Sequence, residues 1–226
     1  MLSLKSLRKH YRTEDVETVA LDGIDVDIEE GEFVAVMGPS GCGKSTFLNI
    51  VGMLDSPSEG EYWFKDQNVA GLAERDLAGL RKKHIGFIFQ SFNLIEELSV
   101  AENIGLALLY HDVSSAERRM QVDAVMERVG IAHRAKHMPN QLSGGQQQRV
   151  AVARAIVGDQ SLILADEPTG NLDSTHGQEV MDMLTQLNQE GTTIVMVTHS
   201  EPHAQCASRV INLFDGRVLT DASVAA

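Results

Sequence analysis

The sequence is poor in the features that characterise secreted and membrane-spanning proteins. Only two cysteines occur among 226 residues, Cys42 and Cys206, and they have neither metal-ligand spacing nor the number needed for a disulfide framework. The apolar runs are far shorter than the ~20 residues that span a bilayer. Residues 1–12 alternate apolar and basic side chains instead of forming the apolar segment of a secretion signal. We therefore expect a globular protein located in the cytoplasm.

Basic residues are scarce as well. The chain has 19 lysines and arginines against 32 aspartates and glutamates, which gives a formal net charge of -13. Because proteins bind nucleic acids largely by neutralising phosphates with basic side chains, this balance predicts no nucleic-acid partner. The one basic cluster, residues 81–84, is interpreted as the solvated face of a loop or helix.

The apolar pattern of the first two thirds of the chain begins with strands and continues with helices. Strands are predicted at residues 2–11, 18–28 and 32–37. A glycine-rich loop and a helix ending near Gly52 follow, and then short strands at 61–64 and 85–89. The segment 91–140 is predicted to be helical, with capping-box spacing in the pairs Ser99 with Glu102 and Ser114 with Glu117.

The last third alternates helices and strands. The predicted elements are a helix at 143–157, a strand at 162–166, a helix at 174–189 and a strand at 193–198. Asp215-Gly216 is predicted to close a final hairpin. This order indicates an α/β fold with a mostly parallel sheet covered by helices, in which the ligand binds beyond the carboxyl ends of the strands.

A phosphate-binding loop is predicted between the third strand and the helix that follows it. The segment from Gly38 to Ser45 has the pattern G-x-x-x-x-G-K-S/T. Its glycines let backbone N–H groups surround a phosphate, Lys44 reaches the β and γ phosphates, and Ser45 ligates Mg²⁺. The alternative for the motif alone is an ordinary glycine-rich turn. The predicted nucleotide-binding residues here are Gly38, Pro39, Ser40, Gly41, Cys42, Gly43, Lys44, Ser45 and Thr46.

Two further motifs lie where a parallel sheet would bring them near that loop. The strand at 162–166 ends in Asp166 and Glu167; Asp166 is predicted to hold Mg²⁺ through water, and Glu167 to orient or deprotonate the attacking water. Taken alone, the pair also fits an ordinary acidic turn. The segment from Leu142 to Gln146 begins a predicted helix and offers a second set of N–H donors, although it also fits a simple serine cap.

Taken in order, these motifs resemble the nucleotide-binding subunit of an ATP-binding cassette (ABC) transporter. The resemblance rests on residues 38–46, Gln90, residues 142–146, Asp166-Glu167 and His199. It implies one nucleotide-binding domain over 1–226 with the P-loop NTPase fold of the ABC ATPase type. The implied division is a RecA-like core with an N-terminal antiparallel β-subdomain, at 1–90 and 141–226, and an inserted helical subdomain at 91–140.

The resemblance also implies roles for individual residues, with two ATP molecules sandwiched between two copies of the chain. The signature residues Ser143, Gly144, Gly145 and Gln146 would bind the γ-phosphate held by the second copy's loop. Gln90 would sense the γ-phosphate and the metal, His199 would contact the γ-phosphate, Tyr11 would stack on adenine, and Asp173 would touch the opposite copy's loop. The implied catalytic residues are Glu167, His199, Lys44 and Gln90, and the implied Mg²⁺ ligands are Ser45, Gln90 and Asp166.

One departure from the commonest ABC pattern points to a branch of the family. Residues 170–173 read Gly-Asn-Leu-Asp where many ABC subunits have Ser-Ala-Leu-Asp. With the segment 87–94, this form is similar to the branch that serves lipoprotein release, macrolide efflux and antimicrobial-peptide resistance. The branch implies a permease that docks on residues 91–140, a peripheral location on the cytoplasmic face of the inner or plasma membrane, and periplasmic or outer-membrane components reached through the permease. A cell-division type of ABC ATPase that gates cell-wall hydrolases, and a soluble non-transport ABC ATPase, remain alternatives.

Overall fold

An antiparallel sheet of four strands lies at one side of the molecule. The computed structural model describes residues 1–12, 17–111 and 113–224. The strands of this sheet are β1 (Leu2–Arg12), β2 (Glu17–Ile28), β4 (Glu59–Phe64) and β5 (Gln67–Asn68). They run in the order β2-β1-β4-β5. Alternate residues such as Leu2, Leu4, Tyr62 and Phe64 are buried, as expected for strands with one face on a core.

The second sheet is mostly parallel and positions the candidate site. Its strands are β3 (Phe33–Met37), β6 (Ile85–Phe89), β7 (Leu162–Asp166), β8 (Thr193–Val197), β9 (Arg209–Phe214) and β10 (Arg217–Ser223). They run in the order β10-β9-β3-β8-β7-β6, with only the β9–β10 pair antiparallel. The carboxyl ends of β3, β6, β7 and β8 therefore lie at one edge of the sheet, where the chain continues into Gly38, Gln90, Glu167 and Thr198.

Helices cover both faces of this sheet and create two apolar cores. Alternate side chains of one strand separate them: Val34 and Val36 lie in one cluster, and Phe33 and Ala35 in the other. The helices are α1 (Lys44–Val51), α2 (Glu74–His84), α3 (Val100–Gly105), α4 (Ser115–Arg128), α5 (Gly144–Ile156), α6 (Ser174–Gln189) and α7 (Glu201–Ala204). The Val34 cluster also contains residues of α1 and of the inner face of the antiparallel sheet. The Phe33 cluster contains residues of α3 to α6.

The segment 91–140 is less helical than the sequence predicts. Helix occupies α3, α4 and short 3-10 turns at 106–108, 132–134 and 139–141, and the other described residues of the segment are turn or irregular. The predicted capping box of Ser99 and Glu102 is confirmed, with both bonds present. At Ser114 the side chain accepts the N–H of Glu117. Both serines therefore begin helices as predicted, with the complete box at Ser99 and the serine bond alone at Ser114. Such caps carry no information on how far a helix extends.

The sequence analysis predicts neither α2 nor α7. α2 has a single buried residue, Leu77, so its sequence lacks the apolar periodicity that reveals a helix. The basic cluster 81–84 forms the last turn of α2. Lys82 and Lys83 are exposed, as predicted for a solvated face. Arg81 instead donates to the carbonyl oxygen of Met53 at 2.6 Å.

The other helix that the sequence analysis does not predict, α7, is only four residues long. No helix among the described residues is both long and apolar enough to cross a membrane.

Candidate active site

The glycine-rich loop between β3 and α1 has a backbone that only glycine tolerates at two positions. Gly38 has φ 150° and Gly43 has φ 104°. A Cβ at Gly38 would lie 2.2 Å from the carbonyl oxygen of Leu213, and one at Gly43 would lie 2.5 Å from that of Ala20. Because Gly43 offers no side chain to cap α1, the first N–H groups of this helix remain available to an anion.

Lys44 is a buried cation with uncharged partners. The residue is 6% exposed, and its Nζ donates to the carbonyl oxygens of Gly38 at 2.9 Å and Pro39 at 2.8 Å. The Cys42 sulfur, also buried, lies 3.9 Å from the same nitrogen. Although the charge of Lys44 interacts with that of Asp166, burying an ammonium whose direct hydrogen-bond partners are uncharged is unfavourable. The loop is therefore suited to an anionic group such as a phosphate, with Cys42 turned inward beneath it.

Two carboxylates follow β7 at the same edge of the sheet. Asp166 is half-buried, and burial together with the neighbouring charge of Glu167 raises the pKa of its carboxyl, partly offset by the charges of Lys44 and His199. A cation bound at Asp166 would relieve this cost. Glu167 has φ 46°, an uncommon conformation for a residue with a side chain, and its N–H donates to the carbonyl oxygen of Val197 at 3.0 Å.

His199 meets Glu167 across the end of the neighbouring strand. Its Nε2 lies 2.9 Å from Oε1 of Glu167. Thr198, which is buried, anchors the preceding backbone through its N–H to the carbonyl oxygen of Val36 at 3.2 Å, and its hydroxyl accepts the N–H of Ser200 at 3.0 Å. The ends of β3, β7 and β8 therefore bring the loop lysine, both carboxylates and the histidine to one place, as the motif order predicts.

Gln90 lies against the segment that follows the carboxylates. Its backbone oxygen accepts from Nδ2 of Asn171 at 3.0 Å, and its Nε2 lies 3.4 Å from Oδ1 of Asn171. A Cβ at Gly170 would approach Nε2 of Gln90 to 2.7 Å. The Gly-Asn form of residues 170–173 thus has a physical role, because the glycine makes room for the glutamine and the asparagine binds it.

The signature segment and Asp173 meet at a histidine that the sequence analysis did not single out. Ser143 caps α5 in a capping box with Gln146. Asp173 caps α6, and His176 donates to its carboxylate through N at 3.0 Å and pairs with it through Nδ1 at 2.7 Å, which lowers the pKa of Asp173. A Cβ at Gly145 would lie 2.5 Å from Cδ2 of His176. His176 therefore packs against Gly145 of the signature segment and also hydrogen-bonds the carboxylate of Asp173.

Tyr11, the predicted adenine-stacking residue, is 43% exposed at the end of β1. Its hydroxyl donates to Oδ2 of Asp55 at 2.9 Å, and Nζ of Lys9 lies 4.9 Å from the centre of its ring. Sequence reasoning missed Lys9 and Asp55. No local signal could have revealed them together, because 46 positions separate the two residues.

The chain that carries this site matches a known protein family. The family model described as ABC transporter matches residues 21–170. The chain belongs to the ABC transporter family. The predicted family, the ABC ATPase fold and the prediction of an ATP-binding, ATP-hydrolysing subunit are thereby confirmed. Three similar proteins support this.

The similar ABC proteins differ in how much of their length this chain covers. It is 45% identical to YknY of Bacillus subtilis, named an uncharacterized ABC transporter ATP-binding protein, over 99% of this chain and 97% of YknY. It is also 45% identical to the macrolide export ATP-binding/permease protein MacB of Hyphomonas neptunium, over 98% of this chain and 34% of MacB. A dimeric structure of the ATP-binding cassette MJ0796, in a post-hydrolysis state with ADP and Pi, matches with TM-score 0.92 and 42% identity over 100% of both chains.

Proposed function

We propose that two copies of this chain sandwich two ATP molecules and that hydrolysis powers a separate membrane permease. The observation that carries the proposal is the pairing of Glu167 with His199 at 2.9 Å, at the sheet edge that also holds Asp166 and the loop of Lys44. This edge offers a base, its orienting partner and a cationic phosphate loop together.

The phosphate groups of ATP are assigned to the loop 38–46. Lys44 would exchange its two carbonyl partners for phosphate oxygens, and the N–H groups at the start of α1 would donate to the same group. Tyr11 would stack on the adenine. Ser143 to Gln146 and Asp173 would complete the site of the second copy, an arrangement supported by the dimeric structure of the similar MJ0796 cassette.

Mg²⁺ is assigned to oxygen ligands at the same edge. Among the described residues, no group of three or more His, Cys, Asp or Glu side chains is arranged to hold a metal ion by itself. The ion would therefore draw on the hydroxyl of Ser45, the carboxylate of Asp166, the amide oxygen of Gln90 and the phosphates. These hard oxygen ligands are the type that Mg²⁺ prefers. The bound ion would neutralise charge on the phosphates.

Glu167 is proposed as the base and His199 as its orienting partner. A water oxygen forms a bond to the γ-phosphorus, the bond from that phosphorus to the bridging oxygen breaks, and ADP leaves with the electron pair. Glu167 takes the proton of the attacking water. His199 holds the carboxylate through Nε2 and reaches the γ-phosphate, while Lys44 and Gln90 position the phosphate group.

The permease is assigned by analogy with the MacB relatives. MacB is named an ATP-binding/permease protein, and this chain covers 34% of it. For this chain, the permease function would therefore come from a separate protein. We place its docking surface on the helical subdomain 91–140, which puts the chain on the cytoplasmic face of the inner or plasma membrane. The branch proposed is export or mechanical transmission of the lipoprotein, macrolide or peptide type, with periplasmic or outer-membrane components acting through the permease.

The variant Glu167→Gln tests the proposal. It should hydrolyse ATP at least about a hundredfold more slowly, since general-base catalysis contributes about 10²–10⁴-fold, and it should form a stable dimer with ATP and Mg²⁺ because the phosphate contacts remain. Steady-state phosphate release and light scattering after gel filtration measure both. The matched control is Glu30→Gln, at an exposed turn before β3, which should behave like the unmodified protein. Unchanged turnover in Glu167→Gln would remove Glu167 from its role.

The same variant tests the permease assignment. Tagged Glu167→Gln protein with ATP and Mg²⁺ should recover a membrane protein from detergent-solubilised native membranes, and recovery should fall when ATP is omitted. Mass spectrometry identifies what is bound. A trapped dimer that recovers only soluble proteins would contradict the transporter assignment and favour the soluble class of ABC ATPase.

A further inference from the structure

Lys9, Asp55 and Tyr11 form a closed cluster beside the phosphate loop. Tyr11 donates its hydroxyl to Oδ2 of Asp55 at 2.9 Å, and Oδ1 of Asp55 accepts from Nζ of Lys9 at 2.5 Å and from the N–H of Ser56 at 2.7 Å. Nζ of Lys9 also donates to the carbonyl oxygen of Ser56 at 2.8 Å. The same nitrogen lies 4.9 Å from the centre of the Tyr11 ring, within the range of a cation–π contact.

The pKa shifts of Asp55 and Tyr11 favour the protonation states that their hydrogen bond needs. Burial raises the pKa of Asp55, but hydrogen bonds from Lys9, Tyr11 and Ser56 outweigh it and bring the pKa below its usual value. Burial and the bond to Asp55 raise the pKa of Tyr11. At neutral pH, Asp55 is therefore a carboxylate acceptor and Tyr11 keeps the proton that it donates.

Burial differs between the two sides of the cluster. The Lys9 side chain is only 12% exposed, whereas Tyr11 is 43% exposed. The ammonium thus covers one part of the ring, and the ring remains open to solvent elsewhere. An exposed aromatic ring with its hydroxyl fixed and one face occupied is a preorganised stacking surface, because its side-chain freedom is already lost before a ligand binds.

The cluster is also tied to the phosphate loop. Thr46, which lies in α1 two positions after Lys44, interacts with the Tyr11 hydroxyl and partly offsets the rise in its pKa. Asp55 and Ser56 belong to the segment between α1 and β4. The position of the ring is therefore set by the helix that begins at the phosphate loop and by the segment that follows it.

We propose that Lys9 and Asp55 are positioning residues that fix the Tyr11 ring as a platform for the purine base of the nucleotide. The proposal rests on the assignment of Tyr11 to the adenine in the proposed function. It makes base stacking depend on an ion pair that touches neither the base nor the phosphates. The simpler alternative is that Lys9 and Asp55 only tie β1 to the segment after α1.

Binding of ADP and of inorganic pyrophosphate separates these two roles. ADP carries the base, pyrophosphate lacks it, and neither is hydrolysed by the proposed reaction. Lys9→Met and Asp55→Ala should weaken ADP binding about three- to tenfold, the scale of a lost aromatic or cation–π contact, and should leave pyrophosphate binding unchanged. Calorimetry with Mg²⁺ measures both. In a Tyr11→Ala background, neither substitution should weaken ADP binding further.

Two more variants serve as controls. Lys9→Arg keeps a cation near Tyr11 and Asp55 and should retain most of the affinity for ADP. Lys5→Met removes an exposed lysine from the same strand, away from the cluster, and should bind ADP normally. Thermal unfolding of each variant shows that it is folded at the temperature of the binding experiment.

The outcomes distinguish failure of this inference from failure of the proposed function. If Tyr11→Ala weakens ADP binding but Lys9→Met and Asp55→Ala do not, the positioning role is wrong and the stacking role stands. Parallel loss of ADP and pyrophosphate would also overturn the inference, since it indicates a structural tie. If Tyr11→Ala binds ADP like the unmodified protein, the assignment of Tyr11 itself fails.

Discussion

At the scale of single residues, the site combines groups that would be unfavourable without a ligand. Lys44 is buried with carbonyl partners, the pKa of Asp166 is raised by burial and by Glu167, and Glu167 has a positive φ. Each is a local cost, and a bound phosphate or cation would offset the two electrostatic ones, at Lys44 and Asp166. Function and stability therefore oppose each other at these positions.

Lys44→Met tests this opposition. The methionine keeps most of the volume and removes the buried charge, so the nucleotide-free protein should unfold at the same or a higher temperature. Nucleotide binding should fall about ten- to a hundredfold, since a hydrogen bond to a charged group contributes about 1.5–3 kcal/mol. Thermal unfolding and calorimetry with ADP measure the two effects. Lys82→Met, on the exposed face of α2, is the control; a Lys44→Met protein that binds ADP normally would contradict the role.

At the scale of elements, strands and long helices could be predicted from the sequence, whereas short or exposed helices could not. The strand β7 and the helix α6 have the predicted bounds, because one is a continuous apolar run and the other has a clear cap, Asp173, and a glycine at its end. α2 lacks an apolar face. Within 91–140 the serine caps mark only where helices start, whereas Gly130, with φ 71°, marks where α4 ends. The division at 91–140 itself stays a prediction.

The positions of site residues that lie next to the end of a strand or the start of a helix could be predicted from the sequence. Lys44, Glu167 and His199 each begin a helix or follow a strand, so the order of the elements brings them together. Lys9 and Asp55 meet through a long-range contact that no spacing encodes. His176 lies only three positions after Asp173, but its packing on Gly145 is a long-range contact. The roles assigned to the motif residues remain predictions, since position alone does not test them.

Gly86→Ala tests the close packing of β6 on α5. A Cβ at Gly86 would lie 2.0 Å from the carbonyl oxygen of Ala155, a backbone atom that cannot turn aside. The free energy of unfolding should fall by about 1–3 kcal/mol or more, as measured by urea denaturation. Gly79→Ala, in α2 with no atom within 4 Å of the added Cβ, should instead raise it by about 0.5–1 kcal/mol through helix propensity. Equal effects of the two substitutions would contradict this packing.

At the scale of the whole molecule, the final hairpin joins the two sheets. The turn at Gly216 packs on β2, where the N–H of Asp22 donates to the carbonyl oxygen of Gly216 at 2.8 Å. The guanidinium of Arg217 donates to Oδ2 of Asp22 at 2.6 and 3.0 Å, and Nε of Arg8 lies 3.3 Å from Oδ1. A junction that includes an ion pair therefore fixes the antiparallel sheet, which carries Tyr11, to the sheet that carries the candidate active site.

The ion pair gives this junction a pH dependence. The hydrogen bond from Arg217 lowers the pKa of Asp22, outweighing burial, and the charges of Arg217 and Arg8 act in the same direction. An acid with a lowered pKa stabilises the fold above its unfolded value of about 4, and this contribution is lost as the pH falls through the lowered value. Asp22→Asn should therefore unfold at a lower temperature than the unmodified protein at pH 7, and the difference should shrink as the pH falls below about 4.

The net charge of -13 requires a control for this last comparison. Removing any acidic charge from so acidic a chain lessens its self-repulsion, which by itself would raise stability. Asp123→Asn removes the same charge from a long 3.9 Å pair with Arg119 within α4, so it reports the general effect without the junction. Asp22→Asn should be less stable than Asp123→Asn at pH 7 and should approach it in acid. A difference between the two that stays constant with pH would mean that the junction depends on shape and backbone bonds rather than on the charge of Asp22.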